Sequence, residues 1–127
     1  IFSEPLPAVT ADPELLGHAL GELVRNAVES KGASHIELRI QTERSDGRLK
    51  IEVRDDGAGL TSHAMRHAFD PFYSDKPAGR QPGLGLARAS RFVEAHGGEI
   101  SLVNGPNGGA VATIWLSDWK ADTAQAA

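Results

Sequence analysis

Between Asp12 and Ser30, apolar residues recur three and four apart: Leu15, Leu16, Ala19, Leu20, Leu23, Val24, Ala27 and Val28. On a helical period these form one broad face, so the spacing predicts a long helix. Asp12 offers a side-chain acceptor at its N-cap, Pro13 occupies a position where no amide is missed, and Gly32 stands just past its end. The period then falls to two. Ile36, Leu38 and Ile40 alternate with polar residues, Ser45-Asp46-Gly47 makes a turn, and Leu49, Ile51 and Val53 alternate again, which predicts an antiparallel hairpin. A short helix is predicted over Ser62 to Phe69. A second long one runs from about Gly83 to His96 on Leu86, Ala89, Phe92 and Val93, and Gly97-Gly98 stops it. Ile100 to Val103 and Val111 to Leu116 flank NGPNGG as a second hairpin. The stretch Asp70 to Gly83, broken by Pro71, Pro77 and Pro82, predicts the one long loop. Periodicity by itself therefore gives an α+β chain.

Composition narrows what such a chain does. With 127 residues, 40% of them hydrophobic, it has the size and apolar content of one domain with a single core. That domain is expected over residues 1–119, with 120–127 a frayed, alanine-rich tail. The net charge is -4 and the 13 Lys and Arg are scattered, an argument against nucleic acid as a partner. No apolar run is long enough to span a bilayer, so no membrane contact is expected of this domain. The lack of Cys excludes disulfides and thiolate metal sites. Because the chain opens on Ile1 rather than Met, it is expected to be a piece of something longer.

Three clusters carry candidate chemistry. Glu22 and Asn26, four apart, stack on one side of the first helix at the border of its apolar face, about 40° from each other. An amide oxygen suits Mg²⁺, and a carboxylate one turn earlier can take a proton or orient a nucleophile. In VRDDGAGL, Asp55 closes a predicted strand directly before Gly57 and Gly59. A carboxylate there can accept from an exocyclic amine while the glycines let a planar base or a phosphate approach the main chain. Gly83, Leu84 and Gly85 open a helix whose free amides favour phosphate, and the preceding loop holds Lys76 and Arg80 as cations for a polyphosphate. Each cluster alone also has an ordinary reading, as a solvated helix edge, an acidic turn and a glycine helix start. Of the five histidines, His63 and His67 lie one turn apart without a third ligand in sight, and His35 heads a strand.

In this order the clusters resemble the ATP-binding catalytic domain of two-component sensor histidine kinases, within the wider group of ATPases that includes gyrase, Hsp90 and MutL. ELVRNAVES is similar to the family's N box, VRDDGAGL to its first glycine box, FDPFYSDKP to its F box and GLGLARA to its second glycine box. The likeness runs from about Asp12 to Leu116. It implies a two-layer α/β sandwich with helices on one face of a mixed, mostly antiparallel sheet. It also implies that the chain binds ATP and Mg²⁺ and passes the γ-phosphoryl group to a histidine on a separate dimerisation domain of the same parent protein. A response regulator would then be reached indirectly, and the domain would lie in the cytoplasm whatever anchors its parent. By the family pattern Asp55 reads the adenine amine, Gly57 and Gly59 make room for the nucleotide, Asn26 holds Mg²⁺ and Lys76 sits in a lid. Three departures stand out. Asp56 replaces a usual Asn and adds a charge beside the ligand, Gln81 and Pro82 replace a Gly and a Thr, and Glu29 and Ser30 replace a Lys and an aromatic, as in the nitrogen-regulator-like branch. The alternatives are an anti-sigma-factor-type serine kinase, which shares E-x-x-x-N and D-x-G-x-G, and a non-catalytic nucleotide-binding regulatory module.

Overall fold

The computed structural model describes residues 12–30, 32–42, 48–71 and 85–116. Helix α1 spans Pro13–Val28 and begins as its cap chemistry dictates: the Asp12 carboxylate accepts from the amides of Glu14 at 2.9 Å and Leu15 at 3.2 Å. Its buried stripe is narrower than the predicted face. Ala19, Leu23 and Ala27 are buried and Leu16 and Leu20 pack at their side, whereas Leu15, Val24 and Val28 are exposed. A helix lying on a single layer covers only the residues at the centre of its apolar arc, and these three stand at the margins.

Strands β1, Ile36–Thr42, and β2, Leu49–Asp55, pair antiparallel with Ile40 opposite Ile51. After the short helix α2, Ser62–His67, the described chain resumes at α3, Gly85–Ala95, whose end is closed by the Gly98 amide donating to the Val93 carbonyl at 2.9 Å. Strands β3, Glu99–Asn104, and β4, Ala110–Leu116, complete a sheet of order β1-β2-β4-β3 in which every described pairing is antiparallel. The last strand thus inserts between the first hairpin and its own partner, and nearly every residue of β4 is buried.

The core is the layer between this sheet and the α1–α3 pair, centred on Leu23, Val93 and Ile114. Alanines at 19, 27 and 89 sit in that layer together with Phe92. On the sheet's other face Glu52 is held between Lys50 at 3.4 Å and Arg54 at 3.3 Å, and Arg48 joins Glu99 at 2.9 Å and stacks over Trp115. These elements form the α+β, helices-on-one-face architecture that the resemblance implies. Among the described residues no helix is long and apolar enough to cross a membrane.

Candidate nucleotide site

The C-terminal end of β2 meets the end of α1 and the start of β4, and Asp55 lies where they converge. Its side chain is buried, and Oδ1 accepts from three donors: the Gly57 amide at 2.9 Å, the Ser30 hydroxyl at 3.2 Å and the Ala110 amide at 3.3 Å. Among the described residues Oδ2 receives no hydrogen bond. A carboxylate fixed through one oxygen, with the other left over, is a directed acceptor whose orientation costs a ligand little. Close backbone approach makes this geometry possible. Gly109, at φ 71°, comes so near the Asp55 carbonyl that any Cβ would collide with it.

The loop after Asp55 is pinned separately. Asn104 at the end of β3 accepts from the Leu60 amide at 2.6 Å and donates to the Leu60 carbonyl at 3.0 Å. Gly59, at φ 83°, would carry a Cβ only 2.8 Å from Asn104 Oδ1. Glycine at 59 is thus required by the chain's own packing, and Gly57 acts through its amide on Asp55.

Asp56 points away from the donors that hold Asp55. Its carboxylate turns to the segment before β1 and accepts from the Ser34 amide at 2.7 Å, the Ser34 hydroxyl at 2.9 Å and the His35 amide at 2.9 Å. The sequence singled Asp56 out for its charge alone; in the fold an aspartate at 56 staples β2 to the entry of β1. Those donors, the His35 amide foremost and then the Ser34 amide and hydroxyl, hold its carboxyl at about 2, below the ordinary 3.8. A carboxyl depressed in the fold stabilises it above the ordinary value and loses that contribution as pH falls through the folded one. Asp56→Asn is thus expected to lower the thermal midpoint at neutral pH. It should also remove part of the loss that the parent suffers between those two values in acid. Superimposable midpoint-against-pH curves for parent and variant would contradict the staple.

Along α1 the polar edge leads away from Asp55. Ser30, just past the end of α1, touches Asp55; Asn26 is half-buried one turn back, and Glu22 is half-buried about 6 Å of helical rise further. Among the described residues Asn26 makes no side-chain hydrogen bond. Glu22 accepts from Arg25 at 3.3 Å and lies against Gly85 at the start of α3. The structure thus brings Asp55, Asn26, Glu22 and Gly85 into one line. Of the other sequence candidates, Lys76, Arg80, Gly83 and Leu84 lie outside the described residues.

A single amide oxygen beside a carboxylate is too little to hold a cation by itself, and among the described residues no cluster of three or more His, Asp or Glu could do so. That donor set fits Mg²⁺, which keeps several waters and takes its remaining ligands from substrate phosphates. It does not fit zinc. The His63 and His67 rings lie 4.5 Å apart, tilted by 44°, and His67 meets Asp70 just past α2 at 2.8 Å, a local arrangement. His35 has a 90% exposed side chain, and His96 is engaged by the Phe92 carbonyl at 2.9 Å.

Sequence reasoning missed Ser30, Ala110 and Asn104 as parts of the site's frame. Ser30 stood out only as a departure from the family pattern, and Asn104 only as a turn residue.

Comparison with known proteins places this geometry in a family. Residues 11–120 match the Histidine kinase-, DNA gyrase B-, and HSP90-like ATPases, and the chain belongs to that family of ATP-binding domains. It is 38% identical over 108 residues to the signal transduction histidine-protein kinase AfsQ2 of Streptomyces coelicolor, covering 83% of this chain and 20% of AfsQ2. The sensor histidine kinase component HK1 of Mycobacterium tuberculosis is 35% identical over 116 residues, covering 90% of this chain and 67% of that protein. Among solved structures, full-length ShkA in complex with AMPPNP aligns with a TM-score of 0.77 at 30% identity over 91% of this chain and 24% of that one. The nucleotide-free catalytic domain of histidine kinase ThkA aligns at 0.75 and 27% identity, over 92% of this chain and 75% of that domain. The chain spans only 20% to 24% of the length of AfsQ2 and of the ZraS sensor kinases it also matches.

Proposed function

We propose that this chain is the ATP-binding catalytic portion, residues 1–119, of a sensor histidine kinase, and that it transfers the γ-phosphoryl group of Mg²⁺-ATP to a histidine carried on a separate helical domain. The observation that carries the reading is the Asp55 carboxylate, fixed by three protein donors at one oxygen and open at the other, at the head of the Asn26–Glu22–Gly85 line. Asp55 Oδ2 would accept from the adenine amine, and Gly57 and Gly59 would flank the base. Asn26 would supply one oxygen to Mg²⁺, which when bound neutralises phosphate charge. Lys76, Arg80, Gly83, Leu84 and the backbone amide of Gly85 at the start of α3 are the proposed phosphate partners.

In the transfer a phosphorus–oxygen bond to departing ADP breaks, a phosphorus–nitrogen bond to the imidazole forms, and the imidazole N–H proton passes to the Glu22 carboxylate. The acceptor histidine and the dimer interface belong to the parent protein, and a response regulator would receive the group from that histidine. A serine kinase acting on a partner protein would share the nucleotide site, but the named relatives are histidine kinases. Incubation of the chain with Mg²⁺-ATP and the parent's histidine-bearing domain tests the proposal. An acid-labile, base-stable phosphoprotein is expected. An acid-stable phosphoserine, or no transfer by a chain that binds ATP, would reject it.

A further inference from the structure

We propose that Gly85 is a positioning residue for Glu22: its missing side chain makes the seat in which the Glu22 carboxylate rests. The inference rests on the phosphoryl-transfer reading above and assigns the glycine a different task from letting phosphate approach the main chain. A Cβ built on Gly85 would collide with Glu22 Oε2 and stand 2.6 Å from Cδ and 3.3 Å from Cγ. All three of its nearest neighbours thus belong to that one side chain. At Gly98 and Gly109, by contrast, the nearest obstacle is a backbone carbonyl, of Trp115 and of Asp55.

The other carboxylate oxygen, Oε1, accepts from Arg25 at 3.3 Å, so Glu22 is held from two sides, by a guanidinium one turn along α1 and by the bare Cα of α3. It lines the edge of a groove of about 410 Å³ between the two helices, whose wall includes Leu15, Ala19, Ala89 and Phe92. With 24% of its side chain exposed, Glu22 has room to swing outward. A methyl group at 85 would therefore be accommodated by moving the carboxylate, and the α1–α3 packing would stay as it is. The group displaced is the one that takes the imidazole proton as the phosphorus–nitrogen bond forms. An ångström of misplacement there is felt in turnover and not in nucleotide affinity.

The test is a cycle of Gly85→Ala, Glu22→Ala and the double variant, read in two ways. Without nucleotide, Ala is a better helix former than Gly. Gly85→Ala should therefore raise the thermal midpoint clearly in the Glu22→Ala background and less, or not at all, in the parent. An equal rise in both backgrounds would mean that the two residues do not meet, and would overturn the inference. With nucleotide and the histidine-bearing domain, Gly85→Ala should lower kcat on the order of 100-fold while KM for Mg²⁺-ATP stays within about threefold, and it should add little once Glu22 is already Ala. A loss of ATP affinity that accounts for the fall in turnover, or a full further loss in the Glu22→Ala background, would mean that the bare Cα at 85 serves phosphate approach and not Glu22, and would overturn the inference. A parent chain that binds no nucleotide would reject the proposed function, while the thermal cycle would still judge the Gly85–Glu22 contact by itself.

Discussion

Asn26→Ala is expected to lower phosphoryl transfer about 100- to 1,000-fold, the usual effect of deleting one group that stabilises transition-state charge. The fold should not suffer. Asn26 is half-buried within α1 and, among the described residues, makes no side-chain hydrogen bond, and Ala is the stronger helix former. Two titrations separate metal from nucleotide. ATP affinity in EDTA should be nearly that of the parent, whereas the gain in affinity on adding Mg²⁺ should largely disappear. Asn26 sits one turn from Glu22 on the edge that leads from Asp55 to Gly85, and it would supply an amide oxygen to a cation whose charge neutralises phosphate. Transfer at the parental rate would make that edge a solvated stripe.

Asp55→Asn should weaken adenine nucleotide binding by about 1.5–3 kcal/mol, the worth of one hydrogen bond to a charged group, or roughly 10- to 150-fold in Kd. Asparagine retains one oxygen for Ser30, Gly57 and Ala110, so the frame around residue 55 persists. The oxygen proposed to meet adenine becomes an amide, a donor set against the donor of the adenine amine. Asp55→Ala differs in kind, because it leaves the Ala110 and Gly57 amides without their partner and should cost stability as well as binding. Asp56→Asn is the control. Its carboxylate serves Ser34 and His35, so it should lower the thermal midpoint yet leave nucleotide affinity unchanged within about twofold. Calorimetric titration of the two Asp→Asn variants with ADP makes the comparison, and equal losses would remove Asp55 from the adenine site.

These neighbouring aspartates show where sequence reasoning reached and where it stopped. The elements were legible because each is specified locally: Asp12-Pro13 starts α1, the alternation of Ile36 to Val53 makes the first hairpin, and Gly97-Gly98 ends α3. The positions of Glu22, Asn26 and Asp55 were legible for the same reason, since helical spacing and a strand end fix them without knowledge of the rest. Nothing in D-D-G says which carboxylate turns in toward α1 and β4 and which toward Ser34 and His35. That is decided by partners 25 and 55 residues away for Asp55, and 22 and 21 away for Asp56. Asn104 reaches Leu60 across 44 residues, and Glu22 meets Gly85 only because α1 and α3 share one layer. The width of α1's buried stripe was hidden too. Leu15, Val24 and Val28 obey the helical period but stand beyond the arc that a single sheet covers.

The central claim is that one line of residues, from Asp55 through Asn26 to Gly85, takes a nucleotide. A ¹⁵N-edited spectrum of the chain titrated with Mg²⁺ and a non-hydrolysable ATP analogue tests it most directly. Saturable shifts are predicted at Gly57, Gly59, Asn26 and Ala110, and at Gly85 to Ala87 in the first turn of α3, with little change at Glu37 to Gln41 in β1 and at Ser101 to Val103 in β3. An unperturbed spectrum, or shifts confined to the β1 and β3 edges while Asp55's neighbours stay silent, would contradict it.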